Sequence, residues 1–333
     1  MLPTVPETMI AVEIANFGGP EMLRAVPRPT PKPAAGEVLV HVRAAGVNRA
    51  DVTQRIGKYP PPRGASDIPG LEIAGEVVAL GSGAARWRAG DRVCALVPAG
   101  GYAEFCTAPE VQCLAVPKSF DFVQGAALPE ATFTVWDNLF DRGRLKAGES
   151  VLIHGGASGV GTAAIQMAAL AGARVYATAG TPEKCRVCEK LGAEVTIDYR
   201  REDFVAVVAS RTEGRGVDVV MDIVGGDYVG RNLECLALDG RLIQIGFQEG
   251  SGKKVDLRPI MTKRLTFTGS TLRPRTIAAK GAIAEALRQH VWPNLESGRM
   301  KPVIAQTFPL ADAYRAHSLL ESGAHTGKII LVP

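Results

Sequence analysis

The segment Val151-Leu152-Ile153-His154-Gly155-Gly156-Ala157-Ser158-Gly159-Val160-Gly161-Thr162 constrains the fold more than any other part of this 333-residue chain. An apolar run of strand length leads into a glycine-rich turn, and apolar residues at helical spacing continue to Ala171. Glycines here let the chain turn sharply, bring backbone N–H groups close to a pyrophosphate and seat the helix against a sheet, while the helix N-terminus adds partial positive charge. A glycine pattern alone is weak. Placed between a strand and a helix, it reads as a dinucleotide cradle with Ser158, Gly159, Val160 and Gly161 at the cofactor. The run from Ser150 to Ala173 lacks Asp, Glu, Lys and Arg and is long enough to imitate a membrane span, but His154 and the glycines suit a buried strand, turn and helix better.

The turn sits in a repeating series. Val151 to His154 and Gly159 to Ala171, Arg174 to Thr178 and Pro182 to Leu191, and Glu194 to Ile197 and Asp203 to Arg211 alternate as strand and helix. Val217 to Asp222, Arg241 to Ile245 and Leu265 to Gly269 add further strands. Such a series predicts an α/β fold with a doubly wound, parallel, six-stranded sheet. Upstream, Ile10 to Ile14, Val38 to Ala44, Ile73 to Leu80, Arg92 to Val97 and Ala103 to Thr107 read as short strands broken by Gly and Pro, which predicts a β-rich domain. Gln124 to Leu139 has helical spacing, as do Ala278 to His290 and Leu310 to Leu320, with strands at Val303 to Phe308 and Lys328 to Val332. This tail is expected to fold back onto the N-terminal domain, because the preceding sheet already has its strands.

NAD-preferring folds carry an acid about 20 residues beyond the turn to take the ribose hydroxyls. Here the strand end reads Tyr176-Ala177-Thr178-Ala179-Gly180-Thr181, with no acid. Gly180 leaves room, and Lys184 one helical turn later reaches a 2′-phosphate, with Tyr199, Arg200 and Arg201 in support. NADPH is therefore expected over NADH. The bland alternative is that Lys184 is one more solvated helix lysine.

With 38 basic and 34 acidic residues and no basic run, nothing marks a nucleic-acid track. The N-terminus shows no charged region followed by an apolar one, so no secretory signal is expected. Six cysteines in such a chain suggest free thiols in a reducing, cytoplasmic setting. Cys185 and Cys188 form a C-x-x-C, but without a second Cys/His pair nearby they read as helix residues rather than a redox or zinc site.

Gly46-Val47-Asn48-Arg49-Ala50-Asp51, Gly57-Lys58-Tyr59-Pro60-Pro61-Pro62 and Pro69-Gly70-Leu71-Glu72-Ile73-Ala74-Gly75 resemble the N-terminal signatures of quinone oxidoreductases related to zeta-crystallin, a zinc-free branch of the medium-chain dehydrogenase/reductase superfamily. The likeness runs on through Leu128-Pro129-Glu130-Ala131, Ser158-Gly159-Val160-Gly161, Leu236-Ala237-Leu238-Asp239-Gly240, Gly269-Ser270-Thr271-Leu272-Arg273 and Gly327-Lys328-Ile329-Ile330. Ala50-Asp51 after Asn48-Arg49, and Ser158 in place of a middle glycine, look most like the tumour-suppressor-induced subgroup. The resemblance implies a GroES-like β-rich catalytic domain over residues 1–126, completed by 270–333, and a Rossmann domain over 127–269, with the active site in the cleft between them. It also implies a homodimer joined through the last sheet strand, where Leu265-Thr266-Phe267-Thr268 is a short, uncharged edge that needs covering.

Zinc-dependent cousins have a metal-binding Cys where this chain resembles them at Asn48, and a His where it has Leu71 before Glu72; neither replacement is a zinc ligand. Their cysteine-rich lobe also has no counterpart, so no metal is expected. Without a Lewis acid the acceptor must already be electrophilic. A quinone qualifies, since charge arriving with hydride spreads onto its own oxygen. By resemblance, Asn48 and Arg49 lie at the cofactor, with Asn48 beside the nicotinamide ribose, and Tyr59 lies over the acceptor. Thr134, Gly246, Phe247, Ser270, Leu272 and Arg273 surround the nicotinamide half, and Asp222 at another strand end reads as structural. The rival readings are an NADPH-dependent alkenal, enone or enoyl reductase, and a non-catalytic NADPH- or RNA-binding protein.

Overall fold

The computed structural model describes residues 5–251 and 254–333. The chain divides into two compact units, one running to Phe133 and resuming at Arg273–Pro333, the other Thr134–Leu272.

The first unit opens with β1 (Thr8–Ile14) and β2 (Leu23–Pro29), an antiparallel pair. Then come β3 (Glu37–Val47), α1 (Arg49–Arg55), β4 (Glu72–Leu80), β5 (Arg92–Leu96), β6 (Phe105–Pro109) and β7 (Cys113–Ala115). β2 escapes the alternation rule because Pro27 and Pro29 interrupt it; a two-stranded ribbon tolerates prolines that a central strand does not. Two short helices follow, α2 (Phe122–Ala126) and α3 (Pro129–Val135), then a π-helical stretch over Trp136–Arg142. The single helix expected from Gln124 to Leu139 is thus three pieces. Pro129 lacks the amide needed to continue a helix and instead starts one. Beyond it the pitch widens, with Gly143 N donating to Asn138 O at 2.8 Å across five residues.

The second unit contains β8 (Ser150–Ile153), α4 (Gly159–Leu170), β9 (Arg174–Ala179), α5 (Pro182–Lys190), β10 (Val195–Asp198), α6 (Phe204–Arg211), β11 (Val217–Asp222), α7 (Tyr228–Cys235), β12 (Leu236–Gln244), α8 (Arg258–Thr262) and β13 (Thr266–Gly269). Its strands form one parallel sheet in the order β10-β9-β8-β11-β12-β13. β12 begins five residues before the expected Arg241. Asp239-Gly240 imitates a turn but sits inside a register shift, with Asp239 at φ +60°. Leu152, Tyr176, Ile197, Val220 and Leu242, one from each of five strands, share a core with Phe204 and Leu233. Both faces are covered, which is why these strands read as unbroken apolar runs. The order in which successive strands are added to the sheet reverses between β8 and β11, and the carboxyl ends of strands at such a switch point are where this architecture binds ligands.

The tail adds α9 (Ile277–His290), α10 (Trp292–Glu296), β14 (Ile304–Pro309), α11 (Ala313–Ser322) and β15 (Lys328–Val332). β15 pairs antiparallel with β3, so the tail completes the seven-stranded sheet of the first unit as expected. Among the described residues no helix is long and apolar enough to cross a membrane.

Candidate active site

β8 delivers the chain into the glycine-rich turn. Gly155 adopts φ +68°, and a Cβ there would lie 2.4 Å from Ile223 Cδ1. Thr178 on β9 holds the turn twice, its carbonyl accepting from Gly156 N at 2.8 Å and its hydroxyl from Gly155 N at 3.3 Å. Ser158 is the N-cap of α4, its Oγ accepting from Gly161 N at 3.0 Å. A Cβ on Gly161 would fall 2.2 Å from Gly155 O, so Gly161 seats the helix on the turn and its amide is already taken. Gly159 and Val160 occupy the first two helical positions, where N–H groups have no intrahelical acceptor, and both are only partly buried. These amides and the helix dipole are what the turn offers an anion.

At the end of β9 a Cβ on Gly180 would meet the Tyr199 hydroxyl at 2.7 Å, so only glycine lets that ring lie over the strand end. Thr181 caps α5 by accepting from Lys184 N at 3.3 Å. Burial, and then the neighbouring charge of Arg200, lowers the Lys184 pKa, so two cations share this corner. Arg201 instead lies 3.7 Å from Asp198, whose carboxylate also accepts from Arg200 N at 3.1 Å. The cysteines of the C-x-x-C are buried on α5 as free thiols, and burial pushes Cys188 up to about 12. Such thiols are poor nucleophiles.

Three of the residues expected at the nicotinamide half are organised by two that the sequence did not single out. Asn138, buried in the π-helical stretch, donates to Thr134 O at 2.8 Å and accepts from Ser270 Oγ at 2.9 Å. Its only sequence signal was an amide inside an apolar pattern. Gln244, at the end of β12, donates through Nε2 to Gly246 O at 2.5 Å and to Asp222 O at 3.2 Å. Phe247 is exposed and Leu272 half-buried. Asp222 is fully buried and accepts from Val224 N at 2.6 Å, Gly225 N at 3.2 Å and Asn232 Nδ2 at 3.0 Å. It shapes the loop after β11.

In the first unit, Asn48 opens α1, and its backbone N–H donates to Asp51 Oδ2 at 2.8 Å. Its side chain is fixed from both ends: Lys328 Nζ donates to Oδ1 at 2.6 Å, and Nδ2 donates to Glu72 Oε1 at 3.0 Å. Lys328 also pairs directly with Glu72, whose second oxygen accepts from Glu130 N at 2.8 Å. Both members of this ion pair are buried, and each satisfies the other's charge. Among the described residues no group of three or more His, Cys, Asp and Glu side chains is arranged to hold a metal ion. The Arg49 guanidinium lies 3.5 Å from Leu320 O.

Tyr59 and Arg273 come together, the guanidinium carbon 5.3 Å from the ring centroid. Arg273 is buried, donating to Pro98 O at 2.6 Å, Tyr59 O at 3.1 Å and Gln54 Oε1 at 2.7 Å. It therefore braces the Tyr59 segment. Burial raises the Tyr59 phenol pKa, which keeps the hydroxyl a donor.

A β-rich unit closed by the chain's own tail, and a second unit built on a doubly wound sheet with this turn at its switch point, define the medium-chain dehydrogenase/reductase class. Residues 34–118 match the alcohol dehydrogenase GroES-like domain family and residues 159–288 the zinc-binding dehydrogenase family. The quinone oxidoreductase of Rattus norvegicus is 32% identical over 334 residues, covering 99% of this chain and 100% of that protein. That of Pseudomonas aeruginosa is 36% identical over 324 residues, covering 97% and 99%. The structure of Escherichia coli quinone oxidoreductase complexed with NADPH superposes with a TM-score of 0.86 at 34% identity, covering 98% of this chain and 100% of that one. This chain belongs to the quinone oxidoreductase family.

Proposed function

We propose that this chain reduces quinones with NADPH, without zinc. The observation that carries the cofactor is the β9 end: no acid faces the ribose position, Gly180 leaves space beneath Tyr199, and Lys184 and Arg200 bring positive charge to the place where a 2′-phosphate would sit. Gly159 and Val160 amides take the diphosphate, with Ser158 capping the helix they open. Thr134, Ser270 and Gly246, held by Asn138 and Gln244, form the nicotinamide end, with Phe247 and Leu272 as apolar neighbours.

When bound, NADPH supplies the hydride. The chain's own residues position and exclude water. Asn48, locked by Lys328 and Glu72, presents a fixed amide rather than a metal ligand, and the buried cation beside it is an ammonium. Tyr59, braced by Arg273, stacks on the acceptor and offers a hydroxyl to the developing oxyanion. The quinone relatives support this acceptor, and an acceptor that spreads its own charge suits a donor set with no Lewis acid.

The edge strand β13 is uncharged and mostly exposed, as are Leu257 at the N-cap of α8 and Met261 within it. We read this edge as the contact of a homodimer. Six buried free thiols suit a cytoplasmic setting.

NADPH oxidation measured on naphthoquinones and on a panel of enones, with and without a chelator, tests the reading. Quinone turnover that a chelator does not touch is expected. Faster turnover on enones would overturn the substrate, and activity lost on chelation would overturn the metal-free chemistry.

A further inference from the structure

His154 follows β8, directly before the glycine turn, and is fully buried along with Thr178, Asn232 and Asp222. Nδ1 lies 3.0 Å from Thr178 Oγ1 and Nε2 lies 2.7 Å from Asn232 Oδ1. The directions of these bonds follow from their ends. Asn232 Nδ2 donates to the Asp222 carboxylate at 3.0 Å, so Asn232 presents its oxygen to His154, and Nε2 must carry the proton. Nδ1 is then an acceptor, and Thr178 Oγ1 donates to it while accepting from Gly155 N at 3.3 Å. The result is a one-way chain: Gly155 N–H to Thr178, Thr178 O–H to His154, His154 N–H to Asn232, Asn232 N–H to Asp222.

At its far end Asp222 accepts from Val224 N and Gly225 N, and its backbone carbonyl accepts from Gln244 Nε2, which also holds Gly246 O. Phe247 packs so closely on Gly225 that a Cβ there would lie 2.6 Å from its ring. The imidazole is boxed by Phe204 and Tyr228, edge-to-face with centroids 4.8 and 4.9 Å away. Burial lowers its pKa from 6.5, so the ring is neutral, as a single tautomer requires; Asp222 and Arg231 are the charged groups that face it.

Building on the proposed NADPH site, we infer that Thr178, His154, Asn232 and Asp222 act as positioning residues that tie the phosphate-binding turn to the segments around Gly225 and Gly246, so that both halves of the dinucleotide meet a cradle set as one piece. All four side chains are buried, so they act through the backbone groups they hold. Breaking the chain leaves a buried donor or acceptor unpaired.

The test titrates the full-length protein with NADPH by fluorescence. Thr178→Val, which keeps the shape and removes the hydroxyl, is expected to raise Kd about tenfold, equivalent to about 1.4 kcal/mol. Thr178→Ser, which restores the hydroxyl, is expected to stay within about twofold of wild type. In steady state the valine variant should raise KM for NADPH and leave KM for the quinone in place. Equal Kd values for wild type and Thr178→Val overturn the inference, whereas a wild type that binds no NADPH overturns the proposed function instead. Should the variants fail to fold, the ¹⁵N shifts of His154 in the wild type decide: a protonated Nε2 supports the chain, and a protonated Nδ1 breaks it.

Discussion

On the proposed reading, Lys184 and Arg200 supply the charge for a 2′-phosphate at the β9 corner, because Arg201 is diverted to Asp198 and Tyr199 contributes mainly its ring. A hydrogen bond to a charged group contributes about 1.5–3 kcal/mol. Lys184→Ala should therefore raise Kd for NADPH about tenfold or more and leave NADH unchanged; titrations with both cofactors check it, and an unaltered preference refutes the assignment. A second residue sets the response to acid. His317 is buried, accepts from Arg55 Nη1 at 3.1 Å through Nδ1 and faces Tyr102 Oη at 3.0 Å, with Asp51 beyond the tyrosine and Glu321 beyond the arginine. Burial, then Arg55 and Arg49, lower its pKa from 6.5 to about 3. The unfolded chain thus takes up this proton before the folded one does, and the stability that neutral His317 contributes is present above 6.5 and lost as pH falls towards 3. Asp51, raised to about 6 by burial, works in the opposite sense, gaining as pH falls below that value. Urea denaturation between neutral and mildly acidic pH should show a shallower acid loss in His317→Gln than in wild type. Parallel curves would assign the acid response to other groups.

At the level of elements, α4 depends on the absence of one side chain. A methyl group at Gly161 would overlap Gly155 O and Gly156 C, both backbone atoms with nowhere to go. Overpacking of this kind costs about 1–3 kcal/mol, so Gly161→Ala should lower the denaturation free energy by about 2 kcal/mol and weaken NADPH binding together with it. A stable variant with full affinity would show that the helix does not rest on the turn. The strand–turn–helix around this glycine was legible in the sequence because period, punctuation and residue type all agreed there. So was the tail, whose β15 reads as an apolar run with nowhere to pair in a completed sheet. The breaks between elements were harder to read. Apolar spacing runs through Pro129 without showing that the helix restarts there, and Asp239-Gly240 imitates the end of a strand it only bends. Asn138, Gln244 and Lys328 were invisible as site-builders for a related reason: they hold residues 132, 22 and 280 positions away in the chain, which no local pattern encodes.

For the whole molecule, β13 is an edge strand of the six-stranded sheet among the described residues; Phe267 on it is 42% exposed, and Met261 on α8 is 76% exposed. An open, uncharged edge is a template for pairing, and a lysine placed on it blunts that tendency. Light scattering should give a dimer for wild type and a monomer for Phe267→Lys; a wild-type monomer would end the proposal. The proposed chemistry depends on which dinucleotide the second unit takes. Calorimetric titration of the purified wild-type chain with NADPH and with NADH measures it directly. The prediction is one NADPH per chain, bound about tenfold or more tightly than NADH, as expected when a 2′-phosphate gains charged hydrogen bonds. Equal affinities, or no binding of either, would contradict it.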